Sequence, residues 1–552
     1  MVASIGKRAA VALLAALAIV VAASCGGDSN TTTVTGPANA GLAAAAAPAS
    51  EAGAPAEHLV SGTVKVDSGF RPAVDGFSFE NYGPGYQDLT AAEMVDLFGP
   101  KVCSSGSGAE CVLTPPAQSW MSTTNRGMRG GHCFGFSVTS LMMFERGLDP
   151  LTFGAPLTWQ LGLEGNIPLQ SQLAEAMAVQ SSPRVTRSFL TGPPNAVLEF
   201  LRRRLEQKDE TWTIGMYDSP DANAAGHAVT PYGIEDRGDG QFAVLIYDNN
   251  YPGITRAISI DTRRNAWSYE TAPNPDVGSY LFQGRGRVNP LFLIPTGSTY
   301  GVQPCPFCKR PGAQVSRFRD EGAPAGLRQM KALPAGSYEE VSLLGDTINH
   351  GHLVLTDGEG RTTGIVDGKL VNEIPNVRVI TPLRAQNFKQ APEPVYQVPR
   401  SVGYTITLDG SDLEAPDVET VSIVGPGYSA TAGEIDLQPG QRIELDLRAD
   451  GTALTYEAGP GQAQAPQLQI GVEQPGGDYR FTVATPPIET GSAVTAAADP
   501  EDGSVMVDAG GVETTGRYGL TVEQLLPSGA DPAEGRAVRV RGGSSAQVRL
   551  DR

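Results

Sequence analysis

The sequence is poor in the side chains that carry most enzyme chemistry. Its 552 residues include six cysteines and five histidines, so a thiol nucleophile, an imidazole base or a zinc site must be built from a short list of candidates. Basic residues are also scarce, with 41 lysines and arginines against 60 acidic residues and a net charge of −19. That balance excludes nucleic acid and anionic membrane surfaces as the main partners.

The apolar stretch at the N-terminus is too short to span a membrane. Lys7 and Arg8 precede it, and small residues then lead to Cys25 in "VAASCGG", which is the pattern of an export signal. The motif resembles the lipobox of bacterial lipoproteins, although Ala22 stands where leucine is more common. We expect residues 1–24 to be a signal peptide, Cys25 to be lipidated, and the folded part to lie outside the cytoplasm. Plain secretion without a lipid is the alternative.

Composition and periodicity divide the rest of the chain. Residues 25–57 are mostly small residues, threonine and proline, and cannot bury enough apolar surface to fold. Residues 58–300 show helical periodicity first and β-branched runs second, which predicts an α+β domain. A Pro- and Gly-rich linker with a CxxC pair follows at 301–330, then a β-rich segment at 331–400. Short strands at 401–552 predict one or two β-sandwich modules.

The cysteine count leaves one thiol over. In an oxidising compartment we expect Cys103, Cys111, Cys305 and Cys308 to form disulfides, with three connectivities open. A four-thiolate metal site is the alternative for the same residues. Any of these arrangements leaves Cys133 free.

Cys133 has the surroundings of a nucleophile. It lies in "RGMRGGHCFGFSVTSLMMFERG" at the predicted start of a helix, where unpaired N–H groups favour a thiolate. The glycines just before it would let a substrate backbone approach. His132 is adjacent but points elsewhere, so it is a poor base for this sulfur. An inert core cysteine is the alternative interpretation.

A base and an orienting acid lie further along the chain. His227 begins the strand "GHAVTPYGIED", and Asp248 ends the next one, "AVLIYDNNYPG". Antiparallel pairing around the turn between them would bring the two side chains together. Asp248 could then accept from one ring nitrogen of His227 while the other nitrogen faces Cys133. Asn250 is a rival for the orienting role.

This order of cysteine, histidine and acid, with cysteine opening a helix, resembles the papain-like cysteine peptidases. It is most similar to the bacterial branch that includes bacteriocin-processing (C39-type) peptidases, and the resemblance covers roughly residues 75–295. It implies an α+β papain-like domain in which Cys133 is the nucleophile, His227 the base and Asp248 the orienting residue. The family's oxyanion-hole glutamine is missing, since Gly127 takes its position. Asn125 or Gln118 could substitute.

The sequence therefore predicts an exported thiol hydrolase that cleaves peptide or related amide bonds without a cofactor. The β-modules could contact surface glycan or protein, and the membrane is reached through the N-terminal lipid alone. Two alternatives stay open: a catalytically silent scaffold for surface binding or adhesion, and a transglutaminase-like acyl transferase. His350 and His352 share one face of a predicted strand, but no third metal ligand is evident, so we expect no metal site.

Overall fold

A computed structural model describes residues 62–220, 224–271, 280–310, 323–385, 393–475, 477–510, 516–526, 529–530, 534–540 and 543–549. All of them belong to one compact unit, Pro55–Arg552. The predicted signal peptide, the lipidation site Cys25 and the tether lie outside the described residues. Within the described part, no helix has the length and apolar character needed to cross a membrane.

The expected papain-like α+β fold is wrong. Strands dominate the described chain, and they form three large antiparallel sheets of ten, ten and nine strands. The first sheet does not simply follow the helices. It takes a strand from before them and others from between and after them. The sequence patterns identified local helices and strands, but they carried no information on how many strands would join into one sheet.

The first sheet positions the candidate site. Its strand order is β10-β9-β8-β7-β6-β5-β11-β4-β12, and β1 also pairs with β6, while β2 and β3 form a separate hairpin. The bounds are β1 (Thr63–Asp67), β2 (Cys103–Ser105), β3 (Val112–Leu113), β4 (Leu190–Gly192), β5 (Trp212–Tyr217), β6 (Gly226–Asp236), β7 (Gln241–Tyr247), β8 (Thr255–Asp261), β9 (Ala266–Thr271), β10 (Tyr280–Arg285), β11 (Leu291–Pro295) and β12 (Arg328–Gln329).

Helices lie between β1 and β5, and several of them pack on this sheet. They are α1 (Pro72–Asp75), α2 (Ala91–Phe98), α3 (Pro115–Met128), α4 (Cys133–Phe144), α5 (Ile167–Ala178), α6 (Pro183–Ser188) and α7 (Pro194–Gln207). Helix α4 is apolar on all sides and is buried along nearly its whole length, packed against α5 and β6. Gly135 permits this packing, because a Cβ there would lie 2.3 Å from the Leu173 carbonyl oxygen of α5.

The second and third sheets form from the C-terminal half. Their strands are β13 (Tyr338–Leu344), β14 (His352–Asp357), β15 (Thr362–Val366), β16 (Lys369–Asn372), β17 (Arg378–Ile380), β18 (Val395–Pro399), β19 (Tyr404–Asp409), β20 (Asp417–Gly425), β21 (Tyr428–Leu437), β22 (Arg442–Leu447), β23 (Ala453–Ala458), β24 (Gln467–Val472), β25 (Asp478–Ala484), β26 (Ala493–Asp499), β27 (Ser504–Asp508), β28 (Gly516–Leu526), β29 (Gly529–Ala530), β30 (Glu534–Val540) and β31 (Ser545–Arg549). One sheet runs β17-β18-β13-β20-β21-β24-β25-β28-β29, with β30 on β28, and the other runs β16-β15-β14-β19-β22-β23-β26-β27-β31.

These two sheets share a single hydrophobic core. Buried side chains from both contribute to it, including Val341 and Val421 of one sheet and Leu355 and Leu445 of the other. In the first of these sheets β13 pairs with both β18 and β20. Strands from either side of residue 400 therefore belong to the same sheet.

Helix α3 fastens the helical region to the second sheet. The Trp120 indole Nε1 donates to Glu340 Oε2 at 3.0 Å, and Gln397 Nε2 donates to the other oxygen of that carboxylate at 3.0 Å. Glu340 is buried, and burial raises the pKa of its carboxyl despite the bonds from Gln397 and Trp120. This contact ties two parts of the chain that lie 220 residues apart.

Replacing Trp120 with phenylalanine is expected to lower the free energy of unfolding by about 1–3 kcal/mol, because a buried carboxylate loses a donor. Trp212→Phe is the matched control. Trp212 is equally buried, but its Nε1 has no hydrogen-bond partner among the described residues. The difference between the two variants in denaturant unfolding isolates the hydrogen bond, and equal losses would contradict its importance.

Candidate active site

Cys133 is the first residue of helix α4. Helix α3 ends at Met128, and the turn between the helices passes through Gly131, whose φ of 123° favours glycine. The Cys133 side chain is fully buried, and it is the free cysteine among those described. Its sulfur therefore lies at a helix N-terminus, where unpaired N–H groups stabilise negative charge.

His227 and Asp248 meet because strands β6 and β7 pair in antiparallel fashion. Thr230 lies opposite Tyr247, so the residues just beyond this register come together at one end of the sheet. His227 Nε2 and Asp248 Oδ1 are 2.9 Å apart, and both side chains are fully buried. The Cys133 side chain interacts with the imidazole and favours its charged form. Since Nε2 faces Asp248, Nδ1 is the ring nitrogen left for the thiol. The structure thus brings the three predicted residues together.

Two further groups hold the Asp248 carboxylate. The Tyr269 hydroxyl, on β9, donates to Oδ2, and the Asn250 backbone N–H donates to Oδ1 at 2.9 Å. Asn250, the rival for the orienting role, thus supports Asp248 through its backbone. The sequence analysis missed Tyr269, because no pattern distinguishes it from the other aromatic residues in predicted strands.

The electrostatics of this trio favour an ion pair. Burial alone would disfavour a charged His227, but the charge and hydrogen bond of Asp248, with the Cys133 contact, outweigh it and raise the pKa of the imidazole to about 10. Burial also opposes the charged form of Asp248. Its neighbours His227, Tyr269 and Asn250 overcome that effect and hold the carboxyl pKa below its ordinary value. At neutral pH the ring beside Asp248 is therefore an imidazolium.

An asparagine clamp fixes the start of α4 against the sheet. Asn249 Nδ2 donates to the Cys133 carbonyl at 3.1 Å and to the Ala228 carbonyl at 2.9 Å. Its own carbonyl accepts from the Asn81 N–H at 2.9 Å, and Asn81 Oδ1 accepts from the His132 N–H at 2.7 Å. The backbone around the thiol is therefore fixed relative to β6. The sequence analysis did not identify Asn249 as part of the site.

The two oxyanion-hole candidates have hydrogen-bond partners of their own. The Asn125 amide accepts from the N–H of Leu89 and donates to its carbonyl. Gln118 Nε2 donates to Ser122 one turn further along α3. A donor role for Asn125 or Gln118 at an oxyanion stays a prediction, and for Asn125 it would require the contact with the Leu89 carbonyl to be shared or broken.

The other cysteines pair with their near neighbours. Cys103 bonds Cys111 and Cys305 bonds Cys308, so the four-thiolate metal alternative does not hold. These two short loops consume the four cysteines from which a disulfide to Cys133 could have come.

A separate cluster offers metal-ligand chemistry. His350, His352 and Glu393 each place one ligand atom within 4.8 Å of the others, and Glu393 is the third ligand that the sequence did not reveal. However, His352 Nδ1 lies 2.9 Å from Glu393 and its Nε2 lies 3.3 Å from Asp412. Both ring nitrogens thus already pair with carboxylates, which is the arrangement of a protonated histidine in an ion-pair cluster.

Comparison with known proteins adds no relative to this picture. No family model matches the sequence, and no curated protein matches it. Among solved structures, a transferrin-binding protein B from Haemophilus parasuis aligns over 60% of this chain and 75% of its own, with 9% identity and a TM-score of 0.10. A likeness this weak carries no argument about fold or function, so the case for function rests on the site itself.

Proposed function

We propose that this chain is a cysteine-dependent hydrolase of peptide or related amide bonds. The observation that carries the proposal is the buried His227–Asp248 pair, with Nε2 and Oδ1 2.9 Å apart, together with the buried Cys133 at the start of α4, whose side chain interacts with the imidazole. A nucleophile needs a base close by, and the base needs a third group to orient it. Cys133 at a helix N-terminus, His227 on β6 and Asp248 directly after β7 fit these roles.

The reaction divides into two acyl transfers. The Cys133 thiolate attacks the carbonyl carbon of the scissile amide, and the C–N bond then breaks as His227 Nδ1 gives its proton to the leaving amine. The remaining thioester is attacked by water, which gives a proton to His227 as its oxygen bonds the carbonyl carbon. The C–S bond breaks, and the carboxylic acid leaves. Asp248 stays ionised and holds the imidazole in place throughout.

The export pattern around Cys25 supports placing this activity outside the cytoplasm, on a lipid-anchored or secreted protein. In such a compartment Cys133 would stay reduced because its potential partners are consumed in local disulfides. Burial further shields it from oxidants.

Trapping the thioester tests the proposal. The native chain is incubated with p-nitrophenyl acetate, quenched in acid and analysed as an intact protein and after proteolysis. We expect one acetyl group on Cys133, lost again on longer incubation in buffer, and no adduct in Cys133→Ala. Acetyl transfer to an added amine with no acid formed would instead favour an acyl transferase. No adduct in the native chain and in the Leu383→Ala/Arg384→Ala variant, with the thiol reduced and reactive after denaturation, would favour the silent scaffold.

A further inference from the structure

A short segment from the C-terminal half crosses the candidate active site. It comprises residues 381–385, which follow β17, and is called the 381–385 strap below. The Gly226 carbonyl, one residue before His227, accepts from the N–H groups of Arg384 at 3.0 Å and Ala385 at 2.8 Å. Leu383 also forms a parallel bridge with Gly226. The strap therefore lies as an extended strand beside the first residue of β6.

The site holds the strap mainly through its backbone. Gln180 Oε1 accepts from the Leu383 N–H at 2.7 Å, and Gln180 Nε2 faces the Leu383 carbonyl at 3.5 Å. The Tyr217 hydroxyl donates to the Thr381 carbonyl at 2.7 Å, and Asn81 Nδ2 donates to the Ala385 carbonyl at 3.2 Å. Side-chain groups that pair with main-chain N–H and C=O groups recognise any extended peptide, whatever its sequence.

The groups that hold the strap also surround the reacting residues. Tyr217 packs against the apolar cluster that contains Cys133. Burial is the main cause that raises the pKa of the Tyr217 hydroxyl, and the charge of Cys133 adds to it. Asn81 also bonds the His132 N–H, directly before Cys133. Gly226 directly precedes His227. The strap thus lies where a substrate peptide would have to bind in order to reach Cys133.

Two side chains of the strap, Leu383 and Arg384, make defined contacts near Cys133. Leu383 is 1% exposed and shares an apolar cluster with Cys133 and Ala228. The Arg384 side chain lies across Gly130, where a Cβ would be 2.9 Å from its Cδ, and its Nη1 donates to the Gly127 carbonyl at 2.6 Å. Glycines before the nucleophile therefore leave room for an arginine, although they also serve the turn into α4.

Burying the charged Arg384 side chain in this position is energetically unfavourable. The side chain is partly buried, and burial lowers the pKa of its guanidinium to about 10, with no charged group in the described chain offsetting this effect. A partly buried cation without a carboxylate partner stabilises the folded arrangement less than a paired one would. Such a contact suits a segment that must leave, because release returns the charge to water.

We propose that the 381–385 strap is an internal substrate mimic that closes the active site. This inference rests on the proposed function and adds a substrate class to it. The substrate is an extended peptide in which an aliphatic side chain is followed by arginine. The strap shows how such a peptide lies, with its backbone paired to Gly226 and Gln180. Turnover requires the strap to be displaced, which accounts for the complete burial of Cys133 and His227.

The test loosens the strap in the full-length protein. In the Leu383→Ala/Arg384→Ala double variant we expect native-state alkylation of Cys133 by iodoacetamide at pH 7 to rise at least tenfold. We expect the synthetic peptide ITPLRA, which copies residues 380–385, to slow that alkylation again, and a scrambled peptide to have no effect. Arg287→Ala, which removes an exposed arginine from the turn between β10 and β11, is the matched control and should alkylate at the wild-type rate.

A second variant guards against misfolding of the first. Gly130→Ala leaves the strap sequence intact but puts a methyl group where the Arg384 side chain lies, so it should also speed alkylation. Thermal melts check that both variants fold. An alkylation rate unchanged in both folded variants, or an ITPLRA peptide no better than its scrambled form, would overturn the inference.

Peptide cleavage separates this inference from the proposed function. In the double variant, an internally quenched peptide containing Leu-Arg-Ala should be hydrolysed at least tenfold faster than versions with Glu for Arg or Asp for Leu. Faster alkylation and ITPLRA protection with no hydrolysis would uphold the strap as a plug and refute the hydrolase. Hydrolysis by wild-type protein at the rate of the double variant would uphold the hydrolase and refute the strap.

Discussion

Replacing His227 with alanine is expected to slow thioester formation on Cys133 by about 10⁴–10⁶-fold, since members of a catalytic unit fail together when one is removed. His227 is the group that holds a proton beside the thiol, and it is the acid that protonates the leaving amine. Its removal also leaves Asp248 as a buried carboxylate without its cationic partner. The rate is measured in single turnovers with the quenched Leu-Arg-Ala peptide in the strap-loosened double variant.

His132→Ala is the control for this experiment. It removes the imidazole next to Cys133 in the sequence, but that ring bonds the Tyr82 carbonyl and lies near Asp88. We expect a loss of less than about tenfold, because no triad contact is removed. Equal losses of rate in the two variants, with both folded, would contradict the assignment of His227 as the base.

The site was predictable from the sequence because few residues could form it. With five histidines in the chain, excluding His132 by its position left few candidates for the base. The order of strand, turn and strand then fixed the distance between His227 and Asp248, since antiparallel pairing places residues equidistant from a turn side by side. Local patterns and a small inventory were sufficient for these three residues.

The rest of the site depends on contacts between distant parts of the chain. Tyr269 reaches Asp248 from a strand two positions away in the sheet, and Gln180 meets Leu383 across 203 residues. The contact of Asn125 with Leu89, 36 residues earlier, has the same origin. Periodicity shows that an element exists, but it does not show which other element covers it.

The fold class failed for a related reason. Strand signals in the C-terminal half suggested separate modules behind a helical catalytic domain, yet β13 joins β18 and β20 into one sheet, and Trp120 of α3 bonds Glu340 of that sheet. The two halves also meet at the strap. A pattern with period two marks strands, but strand order in a sheet is set by long-range packing that the pattern does not encode.

Asp248→Asn is expected to lower the rate of peptide hydrolysis at pH 7 by about 10²–10⁴-fold, with the larger figure being that of a known triad aspartate. The amide oxygen can stay on the side of His227 Nε2 and the Asn250 N–H, while the amide nitrogen turns to Tyr269, whose hydroxyl can accept. The geometry is therefore conserved and the negative charge is removed.

Loss of that charge changes the pH profile in a defined direction. In the wild-type arrangement His227 remains an imidazolium until the pH passes about 10, so the alkaline limb of kcat/KM should fall there. Without the Asp248 charge, burial favours the neutral ring and is opposed only by the Cys133 interaction, so the limb should move down from about 10 towards the ordinary value of 6.5. The profiles are recorded from pH 5 to 11 in the strap-loosened background.

Tyr269→Phe tests the hydrogen bond from Tyr269 to Asp248 separately from the negative charge of Asp248. It removes one hydrogen bond from Asp248 but keeps the carboxylate, so burial and the loss of a donor should make Asp248 less acidic while the alkaline limb stays well above 6.5. We expect its rate to lie between those of the wild type and Asp248→Asn. If Asp248→Asn keeps the wild-type limb, the Asp248 charge does not hold the proton on His227, and the assignment of Asp248 is contradicted.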